Sequence, residues 1–230
     1  MHTVVLTGVS RGLGAALFDQ LAGRGDRILG VGRTFSDAQQ ALAAAEPERI
    51  RLRTCDLAAL ELPSDGDLAW ALDGVGHAAL IHNAATVEPI GAVGELASEP
   101  VAAAVALNLT APMVLTNAFL AALPDATPGT VLFISSGAAK RVIDGWSVYC
   151  ATKAGGEMFF DAVASQGRVR VANVNPGVMD TAMQAAIRGA AASEAYFPGR
   201  QRYVDLYERG ELASPADVAA KIIEEHLTSG

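Results

Sequence analysis

Six short apolar runs recur along the chain: residues 3–7 (TVVLT), 27–32 (RILGVG), 49–54 (RIRLRT), 77–82 (HAALIH), 130–135 (TVLFIS) and 168–174 (RVRVANV). Most are continuously apolar rather than alternating, the pattern of parallel strands covered on both faces. Between them the spacing predicts helices near 12–24, 36–45, 98–122, 147–165 and 214–227. Ser214-Pro215 followed by Asp217 reads as a helix N-cap with proline in the first turn. Strands alternating with helices predict βαβ units, hence an α/β fold built on a single doubly wound parallel sheet. No repeat, low-complexity tract or linker interrupts the pattern, so residues 1–230 are expected to form one domain. Residues 181–210 break the rhythm, carrying Met183, Tyr196, Phe197, Pro198, Tyr203 and Tyr207 without a strand pattern. Two readings stand: a helical excursion that covers core, or a lid over a substrate pocket.

Composition narrows the function classes. Of 230 residues, 51% are apolar and 18% charged, with a formal net charge of −8. The acidic balance and scattered arginines argue against a nucleic-acid surface, which needs a basic patch. No apolar run reaches the roughly 18 residues of a membrane helix, and MHTVVLTG lacks the features of a signal peptide. Cys55 and Cys150 make no disulfide framework, so a cytoplasmic setting is expected. His2, His77, His82 and His226 show no metal-ligand spacing, and no metal is expected. Lysine occurs only at 140, 153 and 221, against 14 arginines, so each lysine is a stronger signal than usual.

The first strand runs into TGVSRGLG, which places Gly8, Gly12 and Gly14 ahead of a helix. Glycines there permit a tight turn, close approach of backbone to a pyrophosphate, and close helix–strand packing. The phosphates then lie at the helix N-terminus, where free N–H groups favour anions. Ser10 and Leu13 belong to the same loop. The second strand ends Val31-Gly32-Arg33, where an NAD-binding domain has a carboxylate for the ribose hydroxyls. A guanidinium instead suits the 2′-phosphate of NADP, and Arg11 supplies a second cation. Asp56, beside Leu57, either accepts from an adenine amino group or caps the turn that follows. Asn83 stands at the carboxyl edge of the fourth strand, where its main task is to tie backbone to backbone.

Tyr149 and Lys153 are four residues apart at the start of a helix, on one face. Free tyrosine has a pKa near 10, and a neighbouring ammonium is expected to lower it toward working pH. With 4 Tyr and 3 Lys in 230 residues, chance supplies about 0.05 such pairs. Ser136 ends the fifth strand, where its hydroxyl can hydrogen-bond a substrate carbonyl. Asn108 lies in the apolar helix VALNLTAP and needs partners; it bonds the local backbone or holds a water near the site. Cys150 beside Tyr149 reads as inert packing.

TGVSRGLG, HNAA, Asn108, Ser136, YCATK and NPGVMDT, in that order, resemble the short-chain dehydrogenase/reductase family over residues 3–227. The resemblance implies a Rossmann fold and an NADP(H)-dependent oxidoreductase. Ser136 would orient the carbonyl, Tyr149 donate the proton, Lys153 bind the nicotinamide ribose, and Asn108 complete a proton relay through water. Pro176, Gly177, Val178 and Thr181 would flank the nicotinamide. Trp146, Cys150 and the MDTAMQ stretch are most similar to the sepiapterin reductase and benzil reductase branch, with Trp146 and Met183 toward substrate. Two departures stand out. Ala85 replaces the glycine of the NAG motif, and the chain stops at HLTSG, where relatives continue into a seventh strand. Six strands are therefore expected. The tail that anchors a pterin in sepiapterin reductases has no counterpart, which favours an aromatic or other 1,2-dicarbonyl. A homodimer through helices 98–122 and 147–165 is expected, with a small carbonyl compound as substrate. The rivals are a 3-oxoacyl-carrier-protein reductase, which should show a basic patch, and a dinucleotide-sensing regulator, which would not need Ser136, Tyr149 and Lys153 together.

Overall fold

The computed structural model describes residues 2–190 and 196–227. Its six strands are β1 (His2–Thr7), β2 (Arg27–Gly32), β3 (Ile50–Thr54), β4 (His77–His82), β5 (Gly129–Ile134) and β6 (Arg170–Val174). They form one parallel sheet in the order β3-β2-β1-β4-β5-β6. Every apolar run becomes a strand. Since β2 and β4 lie on opposite sides of β1, the strand order reverses there and a crevice opens at the carboxyl ends.

The helices are α1 (Gly12–Arg24), α2 (Asp37–Ala45), α3 (Asp65–Leu72), α4 (Ser98–Val105), α5 (Ala111–Ala122), α6 (Ser147–Ser165), α7 (Ala182–Gly189), α8 (Arg200–Glu208) and α9 (Pro215–Leu227). The Ser214 hydroxyl accepts from the Ala216 N–H at 3.2 Å, the N-terminal stop expected from Ser-Pro. Helix α3 was not expected, because its short apolar pattern is weak. A capping box between Ser64 and Asp67 sets its start, and Asp67 then pairs with Arg51 (3.6 Å) and Arg53 (2.5 Å) of the edge strand β3.

Two apolar layers sandwich the sheet. Leu115, Phe119, Phe133 and Phe160 lie on the α5–α6 side, where the Phe133 and Phe160 rings stack at 4.8 Å. Leu17, Phe18, Leu21, Ile222 and Leu227 lie on the α1–α9 side. Each fully buried side chain of this kind contributes about 1.5–3 kcal/mol. His82 at the end of β4 is buried, its ring 2.8 Å from the Thr116 hydroxyl of α5.

Helices α4 and α5 are joined by a π-helical turn, Ala106–Thr110, and together run from Ser98 to Ala122. This corrects the expectation about apolar length. The 25-residue run has a window of mean hydropathy 1.5 and is long and apolar enough, by length and composition, to cross a membrane. Asn108, Thr110 and Asn117 break the strictly apolar stretch, but Ala, Val and Leu keep the mean high. In the fold, 39% of that window is buried, against the sheet and α6.

The described part of the 181–210 region covers core, as the first of the two sequence readings has it. Ile187, Phe197 and Tyr203 join Val87, Ala138, Trp146 and Tyr149 in a third buried cluster, while Met183 and Gln184 of α7 border the crevice. Tyr196 and Tyr207 are exposed.

Candidate active site

A cleft of about 450 Å³ follows the carboxyl edge of the sheet, with the glycine loop at one end and Tyr149, Lys153 and Met183 at the other. The loop is tight for reasons visible at two of its glycines. Gly8 has φ +73° and would bring a Cβ within 2.8 Å of the Ala84 Cα. A Cβ on Gly14 would lie 1.9 Å from the Gly8 carbonyl oxygen. Asn83 does the tying expected of it: its amide donates to the Thr7 and Gly8 carbonyls, both at 3.1 Å. Arg11 caps α1 without a side-chain hydrogen bond, which leaves the first N–H groups of the helix open to an anion.

The cationic rim lies where a dinucleotide's phosphates would sit. Arg11 and Arg33 border the cleft and are exposed. Among the described residues, neither guanidinium has an ion-pair or hydrogen-bond partner. Asp56 realises its capping reading, accepting from the Ala58 N–H at 3.0 Å, and also borders the cleft. A glycine cradle, an open helix N-terminus and two unengaged arginines together fit the phosphates of such a cofactor. Ser10, Gly12, Leu13, Leu57, Pro176, Gly177 and Thr181 border the same cleft. Gly14 supports it from behind, and Val178 packs instead against the third cluster.

At the other end, Ser136 follows β5 and borders the cleft beside Tyr149, while its oxygen accepts from the Ala138 N–H at 3.2 Å. Lys153 is buried; its ammonium donates to the Ile134 carbonyl at 2.7 Å and lies 4.6 Å from the Phe133 ring centroid. Burial pulls its pKa down to about 7, opposed by the Glu157 carboxylate. The expected depression of the Tyr149 pKa is reversed. Burial of a phenol only 6% exposed pushes it up to about 12, and the Ser136 hydroxyl opposes this only in part. Lys153 stands 5.7 Å from the Tyr149 ring centroid with its charge turned to the Ile134 carbonyl, so desolvation of the phenolate wins.

Asn108 occupies the π turn, a deformation common at functional sites. Its Oδ1 accepts from the Thr86 N–H at 2.9 Å, and its Nδ2 donates to the Thr86 carbonyl (2.8 Å) and the Thr152 hydroxyl (3.2 Å). The backbone its side chain bonds is that of Thr86, 22 residues away, and not its own helix. Trp146 does not face the cleft. It is buried behind Tyr149, edge-on at 5.7 Å and stacked on Tyr203 at 5.5 Å, because α7 and α8 fold over it.

Sequence reasoning missed Thr86, Val87 and Glu88 after β4, and Met179 and Gln184, all at the cleft. It also missed Glu157. The one available signal was an acidic residue four after Lys153, hence on the same helical face. The assembled site can hold a carbonyl oxygen between the Ser136 hydroxyl and the Tyr149 phenol, next to a dinucleotide cleft.

Comparison with known proteins agrees with this geometry. The short chain dehydrogenase family profile matches residues 2–192. Benzil reductase ((S)-benzoin forming) of Bacillus cereus is 34% identical over 96% of this chain and 92% of its own length. Sepiapterin reductase of Meriones unguiculatus is 32% identical over 95% and 88%. Among solved structures, a short-chain dehydrogenase/reductase from Burkholderia vietnamiensis is 38% identical with a TM-score of 0.71, covering 85% of this chain and 93% of that one. A metagenomic short-chain oxidoreductase in complex with NADP is 25% identical with a TM-score of 0.70, covering 99% and 92%. With its Ser136–Tyr149–Lys153 constellation on a sheet of this order, the chain belongs to the short-chain dehydrogenase family of nicotinamide-dependent oxidoreductases, in the branch of the benzil and sepiapterin reductases.

Proposed function

We propose that this protein is an NADPH-dependent carbonyl reductase acting on an aromatic or other 1,2-dicarbonyl of the benzil type. The observation that carries the reading is the convergence of Ser136, Tyr149 and buried Lys153 on one cleft that Arg11 and Arg33 also line. When bound, the nicotinamide supplies the hydride. The chain's own residues do the rest. Ser136 and Tyr149 hold the carbonyl oxygen with two hydrogen bonds, and the Tyr149 phenol gives its proton to that oxygen as the carbon accepts the hydride, leaving an alcohol. A pKa pushed up to about 12 keeps the phenol in its donor form at neutral pH, the form that reduction requires. Lys153 would bind the nicotinamide ribose. With both amide hydrogens engaged, Asn108 serves the proton relay by fixing the π turn, the Thr86 loop and Thr152.

The NADP preference rests on the two arginines and on the NADP complex of the metagenomic relative. The 34% identity to benzil reductase supports the diketone. The sepiapterin reductase relatives make a pterin side-chain ketone the second substrate to test. We place the protein in the cytoplasm as a homodimer joined through α4–α5 and α6, whose outer faces expose Val114 (44%) and Met158 (72%). The α7–α8 region would act as the substrate lid.

The deciding experiment follows the loss of reduced-nicotinamide absorbance with benzil, with NADPH and NADH in parallel, for the wild type and Tyr149→Phe. NADPH-selective turnover that falls about 10²–10⁴-fold in the variant, with NADPH affinity kept, is expected for a general acid. Undiminished turnover in Tyr149→Phe would remove Tyr149 from its role.

A further inference from the structure

Tyr149, Lys153 and Glu157 succeed one another at four-residue intervals on α6, so they share its buried face. Glu157 is 7% exposed. Its Oε1 accepts the Ser135 hydroxyl at 2.6 Å, and its Oε2 pairs with the ammonium of Lys140, which comes from the turn after β5. Ser135 is itself buried and immediately precedes Ser136, its N–H donating to the Val174 carbonyl at 2.7 Å. A carboxylate therefore sits under the reacting groups, bonded to the strand end that carries Ser136 and one helical turn from Lys153.

Lys153 needs such a neighbour. Its close partners are a carbonyl oxygen and the face of Phe133, and neither carries a full charge. A buried ammonium without a counter-charge gives up its proton. The surrounding elements do not provide an alternative anion. On β4, His82 is neutral, its pKa driven down to about 3 by burial. On α6 itself, Asp161 bonds Asn173 of β6 at 2.8 Å and Tyr149 is protonated. Glu99 of α4 is exposed, and Arg170 of β6 is turned to the His226 carbonyl. The π turn and α5 carry no charged residue. Lys140, paired with Glu157 but largely exposed, tempers the carboxylate's charge.

We propose that Glu157 is a positioning residue for this site, holding Lys153 as an ammonium and, through Ser135, fixing the strand end from which Ser136 meets Tyr149. The proposal rests on the reading of Lys153 and Tyr149 given above. Glu157→Gln separates the two tasks, since the amide oxygen still accepts from Ser135 while the charge is gone. With NADPH and benzil, the alkaline limb of kcat/KM against pH moves to lower pH by about one pH unit in this variant. The alkaline weakening of NADPH binding, read by fluorescence titration without substrate, moves with it. Lys140→Met, at a largely exposed side chain, moves both limbs the other way by about half a pH unit, because Glu157 is no longer neutralised. A purely structural Glu157 would lower activity at every pH and leave the limbs in place in both variants, and that result overturns the proposal. A wild type that binds NADPH but leaves benzil unreduced would overturn the substrate reading instead, with the NADPH titration still deciding the case of Glu157.

Discussion

Gly14→Ala adds one methyl group where the glycine loop closes on itself, and its cost can be worked from the structure. The new Cβ would lie 1.9 Å from the Gly8 carbonyl oxygen and 2.5 Å from the Asn83 Nδ2. Neither can yield alone. The Gly8 N–H is tied to the Val31 carbonyl at 2.7 Å, and the Asn83 amide donates to both Thr7 and Gly8. The loop must therefore shift by about 1 Å and release at least one Asn83 hydrogen bond. Overpacking costs about 1–3 kcal/mol, the lost hydrogen bond about 1 kcal/mol, and the better helix propensity of alanine returns about 1 kcal/mol. The net is about 1–3 kcal/mol, a fall in Tm of roughly 3–10 °C for a chain of this length. The displaced loop also loses its phosphate geometry, so NADPH binding should weaken at least about tenfold. Gly155→Ala in α6 is the matched control: its Cβ would meet only the Leu109 methyl groups, at an ordinary 3.5 Å, so Tm should hold or rise. Thermal unfolding followed by far-UV circular dichroism, with fluorescence titration of NADPH, compares the pair. A Gly14→Ala protein that melts with the wild type and binds NADPH as tightly would refute the argument that this glycine is required by close approach.

Two further outcomes follow from charge. Arg33→Asp removes an exposed, unengaged guanidinium from the cleft rim and should cut the NADPH-over-NADH preference about 10- to 100-fold in kcat/KM; an unchanged ratio would make Arg33 a bystander. His82 is fully buried and neutral, its pKa lowered from 6.5 to about 3. Between those values the unfolded chain holds a proton that the folded one lacks, so acid costs stability by up to about 1.4 kcal/mol per pH unit. His82→Gln, which can still bond the Thr116 hydroxyl, should flatten that fall in urea denaturation at pH 7 and pH 4.5, and parallel losses in the two proteins would exclude His82 as the cause.

Dimerisation and the substrate itself are readings by resemblance, whereas the sheet was legible from the runs alone. Strands buried on both faces must be apolar throughout, as β1, β2, β4 and β5 are, and the alternating β3 and β6 are the sheet's edges. The glycine loop and the Tyr149–Lys153 pair were legible for a similar reason: spacing along a helix or turn is local geometry that the chain carries with it. The short helix α3 was not read, although its Ser64–Asp67 capping box is local; its apolar pattern is weak, and the pairing of Asp67 with Arg51 and Arg53 is seen only in the fold.

What the sequence by itself determined is therefore the order of elements, the loop at the first strand, and the identity of the groups able to donate a proton. The tertiary structure decided what those groups experience. Burial under α7 and α8 turned Trp146 from a candidate substrate contact into the wall behind Tyr149. Desolvation raised the Tyr149 pKa where an adjacent lysine was expected to lower it. Glu157, unremarked in the sequence, became the counter-charge beneath the site. Each of these depends on distances between residues far apart in the chain and on the exclusion of water, and a linear pattern encodes neither.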